Sequence, residues 1–197
     1  MRASEIIARV RSLARDTDIE DLRFGDGEIL ECVSHAQSEL VAEFGENIHI
    51  YTTKAKQSLE LPSELGKIYS ITLDGRQLDR GLFGRALGKE RACFTHYGGR
   101  RYGVLGLKGQ EGVELVITAS FLPNTLESPR ETLQLGESYK QALSLLAYCE
   151  LLLIETNAQN LQKLQFYRAE LEREKAKIRA NKNRSMNAGT IETKANA

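Results

Sequence analysis

The stretch from Glu137 to Glu155 constrains the fold more than any other part of the chain. On a helix, Leu143, Leu145, Leu146, Ala147, Tyr148, Leu151, Leu152 and Ile154 cover nearly every face. A helix apolar all round has to be buried on several sides, so other elements must surround it. Its apolar run from Ala142 to Ile154 is broken by Ser144 and Glu150. That run is too short to span a bilayer, which takes about 20 residues. The first residues, Met1-Arg2-Ala3-Ser4-Glu5, lead into an amphipathic pattern without a signal-peptide core. The expectation is a soluble protein made in a cytoplasm and independent of membranes.

The rest of the chain changes period twice. Ile6, Val10, Leu13 and Ala14 recur at helical spacing and predict a helix over 4–15, with Ser4 as N-cap. A polar break, Asp16 to Gly25, precedes a helix over 26–44 capped by Asp26. Its stripe is Ile29, Val33, Ala36, Leu40 and Phe44, and Gly45 is its stop. From about 48 to 121 the pattern is that of strands. Ile48, Ile50 and Thr52 alternate with His49, Tyr51 and Thr53. Lys67 to Leu73 ends at the hairpin dipeptide Asp74-Gly75, and Cys93–Tyr97, Tyr102–Leu107 and Val113–Phe121 follow. Helical spacing returns over 137–155 and 158–180. In the last helix Leu161, Leu164, Leu171 and Ile178 are apolar, with Arg168 and Lys175 where further apolar residues would fit. Residues 181–197 are small and polar and read as a flexible tail. The predicted fold is therefore α+β: mainly a helical bundle of two N-terminal and two long C-terminal helices, with a central antiparallel β insertion. Residues 1–180 read as a single domain.

Catalytic and metal motifs fail one by one. The cysteines, Cys32, Cys93 and Cys149, form no C-x-x-C pair, and an odd number spaced far apart makes no disulfide framework. Gly88-Lys89 lacks the earlier glycine and the Ser/Thr of a phosphate loop. Asp16, Asp18 and Glu20 begin like a calcium loop, but the turn glycine and the final Glu are missing. His35, His49 and His96 share no metal-ligand spacing. Glu150, in the most apolar helix, is expected to be satisfied by a basic neighbour at a subunit contact. The sequence predicts neither an enzyme nor a cofactor.

Charge is balanced overall, with 27 Lys+Arg against 27 Asp+Glu, yet it is segregated along the chain. Residues 16–46 hold ten acidic residues and one basic, among them Asp16, Asp18, Glu20, Asp21, Glu28 and Glu31. Residues 161–184 hold eight basic residues against three acidic, including Arg173, Lys175, Lys177, Arg179, Lys182 and Arg184. Residues 85–108 are also basic, with six against one. Such segregation suits either solvated helix faces or complementary patches that meet head to tail between identical subunits.

The order of elements resembles the head–tail connector (adaptor) proteins of tailed bacteriophages. The resemblance covers about residues 3–180. It is carried by Glu5-Ile6-Ile7-Ala8-Arg9-Val10-Arg11-Ser12-Leu13 leading to Asp16-Thr17-Asp18, and by Asp26-x-Glu28-Ile29-Leu30. It continues through Ala36-Gln37-Ser38-Glu39-Leu40, Leu61-Pro62-Ser63-Glu64-Leu65, Asp74-Gly75-Arg76, Tyr139-Lys140-Gln141-Ala142-Leu143 and the segment Ala158-Gln159 to Phe166-Tyr167. Phe24 stands where many members carry Trp. The resemblance implies a structural virion protein of the neck, between capsid and tail. Such a protein forms a ring, commonly of twelve subunits, beneath the portal; it extends the DNA channel and offers a platform to a tail or nozzle protein. Its partners would be the portal protein, further copies of itself, that tail component and the packaged DNA. On this reading Arg173, Lys175, Lys177, Arg179, Lys182 and Arg184, with the tail after them, form the portal-docking element. Asp16, Asp18, Glu20, Asp21, Glu28 and Glu31 form an inter-subunit acidic patch. The alternatives are a sequence-independent DNA-contacting clamp and a stopper or tail-completion protein of the same neck region.

Overall fold

A computed structural model describes residues 1–18, 22–81, 92–98, 100–107, 109, 111–154 and 158–195. The chain is α+β. Among the described residues, two helices, α1 (Ala3–Ala14) and α2 (Asp26–Phe44), precede eight strands, and α3 (Lys140–Ile154) and α4 (Ala158–Ala195) follow them. The predicted single domain over 1–180 resolves into two compact units, residues 1–40 with 124–197 and residues 41–123, the division falling inside α2.

In the first unit α3 packs against both α1 and α4. Its Leu143, Leu145, Leu146 and Leu152, which point in different directions round the helix, are all buried, as the all-round apolar pattern requires. α1 contributes Ala3, Ile6, Ile7 and Val10, and α4 contributes Leu164, Leu171 and Ile178. The start of the chain is stitched to the segment leading into α3. Ser4 N–H donates to the Pro129 carbonyl at 2.8 Å, Ala3 N–H to the Glu131 carbonyl at 3.0 Å, and Leu133 N–H to the Met1 carbonyl at 3.0 Å. Ser4 therefore does not cap α1. The helix opens one residue earlier, and the Glu5 carboxylate accepts from the Arg2 N–H at 3.1 Å. Arg15, with φ +57°, ends it in the left-handed conformation. A short 3-10 turn, Glu137–Tyr139, leads into α3. Residues 181–195 of the expected flexible tail are helical, continuing α4 to Ala195 over about 57 Å in all, and residues 196–197 lie outside the described residues. No proline interrupts the helix, and Ala, Lys, Arg and Met are good helix formers.

The second unit is built from two four-stranded sheets. One has the order β1 (Ile48–Lys54), β8 (Glu114–Phe121), β3 (Leu65–Leu73), β4 (Arg76–Gln77). The other has the order β2 (Leu59–Glu60), β7 (Arg101–Leu105), β6 (Cys93–Gly98), β5 (Asp79–Gly81). Their inner faces share one core. Ile71, Leu73, Leu115, Ile117 and Ala119 come from the first sheet, and Leu59, Phe94 and Val104 from the second. β1 and β8 run antiparallel in unbroken register from Ile48↔Ser120 to Lys54↔Glu114. The insertion is not wholly antiparallel. β5, which the sequence pattern did not single out, pairs parallel to β6 from Asp79↔Cys93 to Gly81↔Thr95. Asp79-Arg80-Gly81 is too short to reveal a period, and the connection between the two strands lies outside the described residues.

Close approach of two backbones makes one glycine necessary. A Cβ on Gly103 would lie 2.0 Å from the Gln57 carbonyl oxygen and 2.7 Å from the Tyr97 ring. Gly103→Ala is expected to cost about 2 kcal/mol or more through overpacking. Gly27, in the first turn of α2 with nothing within 4 Å, is the contrast. There Gly27→Ala should gain a few tenths of a kcal/mol, about the helix-propensity difference reduced by its terminal position. Urea unfolding of both variants followed by circular dichroism checks the opposite signs.

Candidate functional site

The basic run of α4 divides once its side chains are placed. Lys175 falls on the buried stripe with Leu164, Leu171 and Ile178 and is itself buried. Its ammonium reaches the Glu39 carboxylate of α2 at 3.2 Å and Glu172 at 3.9 Å. It is a tie within the chain, which corrects its assignment to portal docking. The cause is visible in the spacing, since Lys175 stands between Leu171 and Ile178 on one helix face. Arg173 and Lys177 are exposed and pair with the carboxylates one turn back, Glu170 and Glu174, the latter at 2.6 Å. Arg179 lies 4.0 Å from Glu172. Lys182 is half-buried and Arg184 exposed. The exposed cations of this run are therefore Arg173, Lys177, Arg179 and Arg184, with Lys182 partly covered.

Asp16 is not part of a surface patch. Asp16 is buried and holds the turn between α1 and α2 together. It accepts from Arg11 Nη1 at 2.7 Å, from the Arg23 N–H at 2.8 Å and from the Phe24 N–H at 3.3 Å. Arg11 also reaches Asp26 at 2.6 Å and the Phe24 carbonyl at 3.0 Å, so one guanidinium clamps three points of the turn. Phe24 is buried beneath Arg23, whose guanidinium sits 5.1 Å above its ring. Glu28 takes the Gly25 N–H at 2.8 Å and closes the start of α2, making Gly25 rather than Asp26 the cap. Asp18 and Glu31 are exposed, while Glu20 and Asp21 lie outside the described residues. The break in the sequence was legible as polar, but nothing in it showed that Arg11, four residues inside α1, would gather its carboxylates.

Glu150 meets a basic neighbour within the chain. His35 Nδ1 of α2 lies 2.5 Å from its carboxylate. Burial raises the Glu150 pKa above the usual carboxylate value, and the His35 contact only partly offsets it. The same hydrogen bond raises the His35 pKa above its ordinary value. Beside them Cys32 and Cys149 are free and buried, and burial pushes both thiols up to about 11, far from reactive thiolates. Among the described residues, no group of three or more His, Cys, Asp or Glu side chains is placed to hold a metal ion. An open depression of about 480 Å³ in the second unit is lined by Gln57, Ser58, Tyr97, Arg101 and Leu105. No described helix is long and apolar enough to cross a membrane.

What the sequence reading did not single out is the exposed apolar surface. In the first unit Leu153, Ile154, Leu161 and Phe166 are exposed at the end of α3 and the start of α4. In the second unit Ile48 and Ile50 face solvent, Ile50 at 71% exposure, while the alternate residues of β1 share the face of Leu115, Ile117 and Ala119. The alternation was readable; which half of it faced water was not. These surfaces and the outer cations of α4 are what the chain offers to a macromolecular partner. Compared with known proteins, the sequence matches no family model and no curated protein.

Two outcomes follow from these contacts. Asp16→Ala leaves Arg11 with one carboxylate and exposes two backbone donors inside the turn. It is expected to cost about 3 kcal/mol of stability, as for other buried pairs broken on one side, measured by denaturant unfolding. His35 supplies a pH dependence. Its folded pKa is raised, so its contribution is complete below the unfolded value near 6.5 and is lost as pH rises through the folded value. The melting temperature should fall from pH 6 to pH 8, and His35→Gln should flatten that slope.

Proposed function

We propose that the chain is a head-to-tail adaptor of a tailed bacteriophage. In this role it assembles as a ring beneath the portal, extends the DNA channel and presents a platform to the next tail or nozzle protein. The observation that carries the reading is the course of α4, which continues to Ala195 past Ile178, its last described buried residue. From Arg179 to Arg184 no side chain is buried. Isolated helix ends gain little from propensity alone, so such an extension is best explained by a surface it meets on assembly. The element order, two helices, a β unit and two helices, supports the same reading through its resemblance to the adaptors. The exposed Leu153, Ile154, Leu161 and Phe166 supply apolar area for contacts between neighbours. A phosphate clamp along α4 is less well supported, because Arg173, Lys175, Lys177 and Arg179 each already have a carboxylate partner.

The test is attachment to portal-bearing heads of the virus that encodes the chain, imaged by electron microscopy. The full chain should add a ring beneath the portal. A chain truncated after Ala180 keeps the whole buried stripe and should retain its melting temperature, yet fail to attach. Undiminished attachment of the truncated chain would sink the docking role of this helix end. Failure of the full chain to bind would sink the adaptor reading itself.

A further inference from the structure

β1 is an edge strand that carries none of the usual protections. It is seven residues long, contains no proline and keeps an unshifted register with β8 throughout. Its only formal charge is Lys54, at its very end. The other edges differ. β2, β4 and β5 have two or three residues each, and the part of β3 beyond β4 is broken by two register shifts and carries Lys67. Natural proteins blunt sheet edges with such devices because unpaired N–H and C=O groups template pairing with another chain. Among the described residues, β1 is the long edge left open.

The phase of its hydrogen bonds fixes which groups are open. Ala55 N–H donates to the Val113 carbonyl and Phe121 N–H to the Asn47 carbonyl, so odd-numbered residues bond toward β8. Ile48, Ile50, Thr52 and Lys54 therefore aim their backbone groups at the free edge, and all four are exposed. Asn47, with φ +56°, ends the extended run on one side.

We propose that β1 pairs antiparallel with β1 of a second copy, on a two-fold axis through Tyr51. That register is the one in which the strand overlaps itself along its whole length. It sets Ile50 opposite the partner's Thr52 and Ile48 opposite the partner's Lys54, so every edge-facing group meets an edge-facing group. No like charges face each other. Slipping by one hydrogen-bonded pair shortens the ladder to Ile50–Lys54 or Ile48–Thr52. The outer faces of both sheets then join across the axis, and each Ile50 is covered by a threonine methyl. The self-complementarity of this strand, in phase, length and charge, identifies a second copy as the occupant. The inference does not rest on the adaptor reading, and its failure leaves the portal test untouched.

A ladder of this length is at the small end of stable interfaces, so association in the micromolar range is expected. Sedimentation equilibrium of the full chain at about 100 μM should give twice the 22.1 kDa chain mass. Thr52→Pro removes an edge-facing N–H that β8 does not use, so the fold should persist by circular dichroism. Self-association should weaken by about tenfold or more. Tyr51→Cys places two thiols at a non-hydrogen-bonded pair, where Cα atoms about 4.5 Å apart permit a disulfide. Oxidation should yield a covalent dimer, and the three native cysteines, all buried, should not. A monomeric full chain overturns the proposal, even one that captures an extended peptide from another protein. So does a dimer that survives Thr52→Pro, and a dimer without the Tyr51→Cys cross-link overturns the register.

Discussion

The enclosure of α3 is the constraint on which the first unit depends. Leu143, Leu145 and Leu146 lie on different faces of one helix, and all are buried. Sealing them requires elements from both ends of the chain. α1 arrives from the N-terminal side and α4 from the C-terminal side. Each buried leucine truncated to alanine would cost about 2–5 kcal/mol, so neither flank is optional. The pairing of residues 1–4 with 129–133 fixes where α1 meets the segment that feeds α3. The chain must therefore leave this unit after α2 and return to it before α3. Residues 41–123 form a unit with a core of their own.

Much of this fold was legible, for an identifiable reason. Strong periodicity survives in a single sequence, so α2 matched at both ends, and most strands lay within a few residues of their predicted places. Gly45, read as a helix stop, has φ +64° and accepts the Tyr69 hydroxyl on its carbonyl. The illegible parts depend on partners distant in sequence. Ser4 looked like a cap because nothing local revealed that Pro129 and Glu131 would take the first donors of α1. β5 has three residues, too few to carry a period, and among the described residues its strand partner is β6. The helix beyond Ala180 was missed for another reason. Polar composition argues against a packed core, but it does not forbid a helix in a stretch without proline.

The proposed docking residues show the same boundary. Position on a helix face was visible for Lys175, which stands in line with Leu171 and Ile178, and that line predicts burial better than charge predicts exposure. Asp16 gave no such signal. Its carboxylate is organised by Arg11 and by two backbone donors across the turn, a geometry that exists only after α1 and α2 are in place. A charged residue in a polar break can thus be a structural centre.

The balance of 27 cations against 27 anions then acquires a different meaning. Asp16 and Asp26 answer to Arg11, Glu39 to Lys175, and Glu170, Glu172 and Glu174 to the cations of their own helix. Much of the segregated charge is matched within one chain. Arg11–Asp16 and Lys175–Glu39 are partly or wholly buried, but the exposed pairs along α4 contribute at most about 1 kcal/mol each and are screened by salt. A contact between copies would draw on what is left exposed and apolar, Ile48 and Ile50 on β1 and the Leu153, Ile154, Leu161, Phe166 corner. Such contacts lose little strength as salt rises, whereas patch-to-patch charge attraction fades within a Debye length of about 8 Å at physiological ionic strength. Part of the charge balance in this chain is thus internal pairing, and the exposed apolar residues of β1 and of the α3–α4 corner lie outside it.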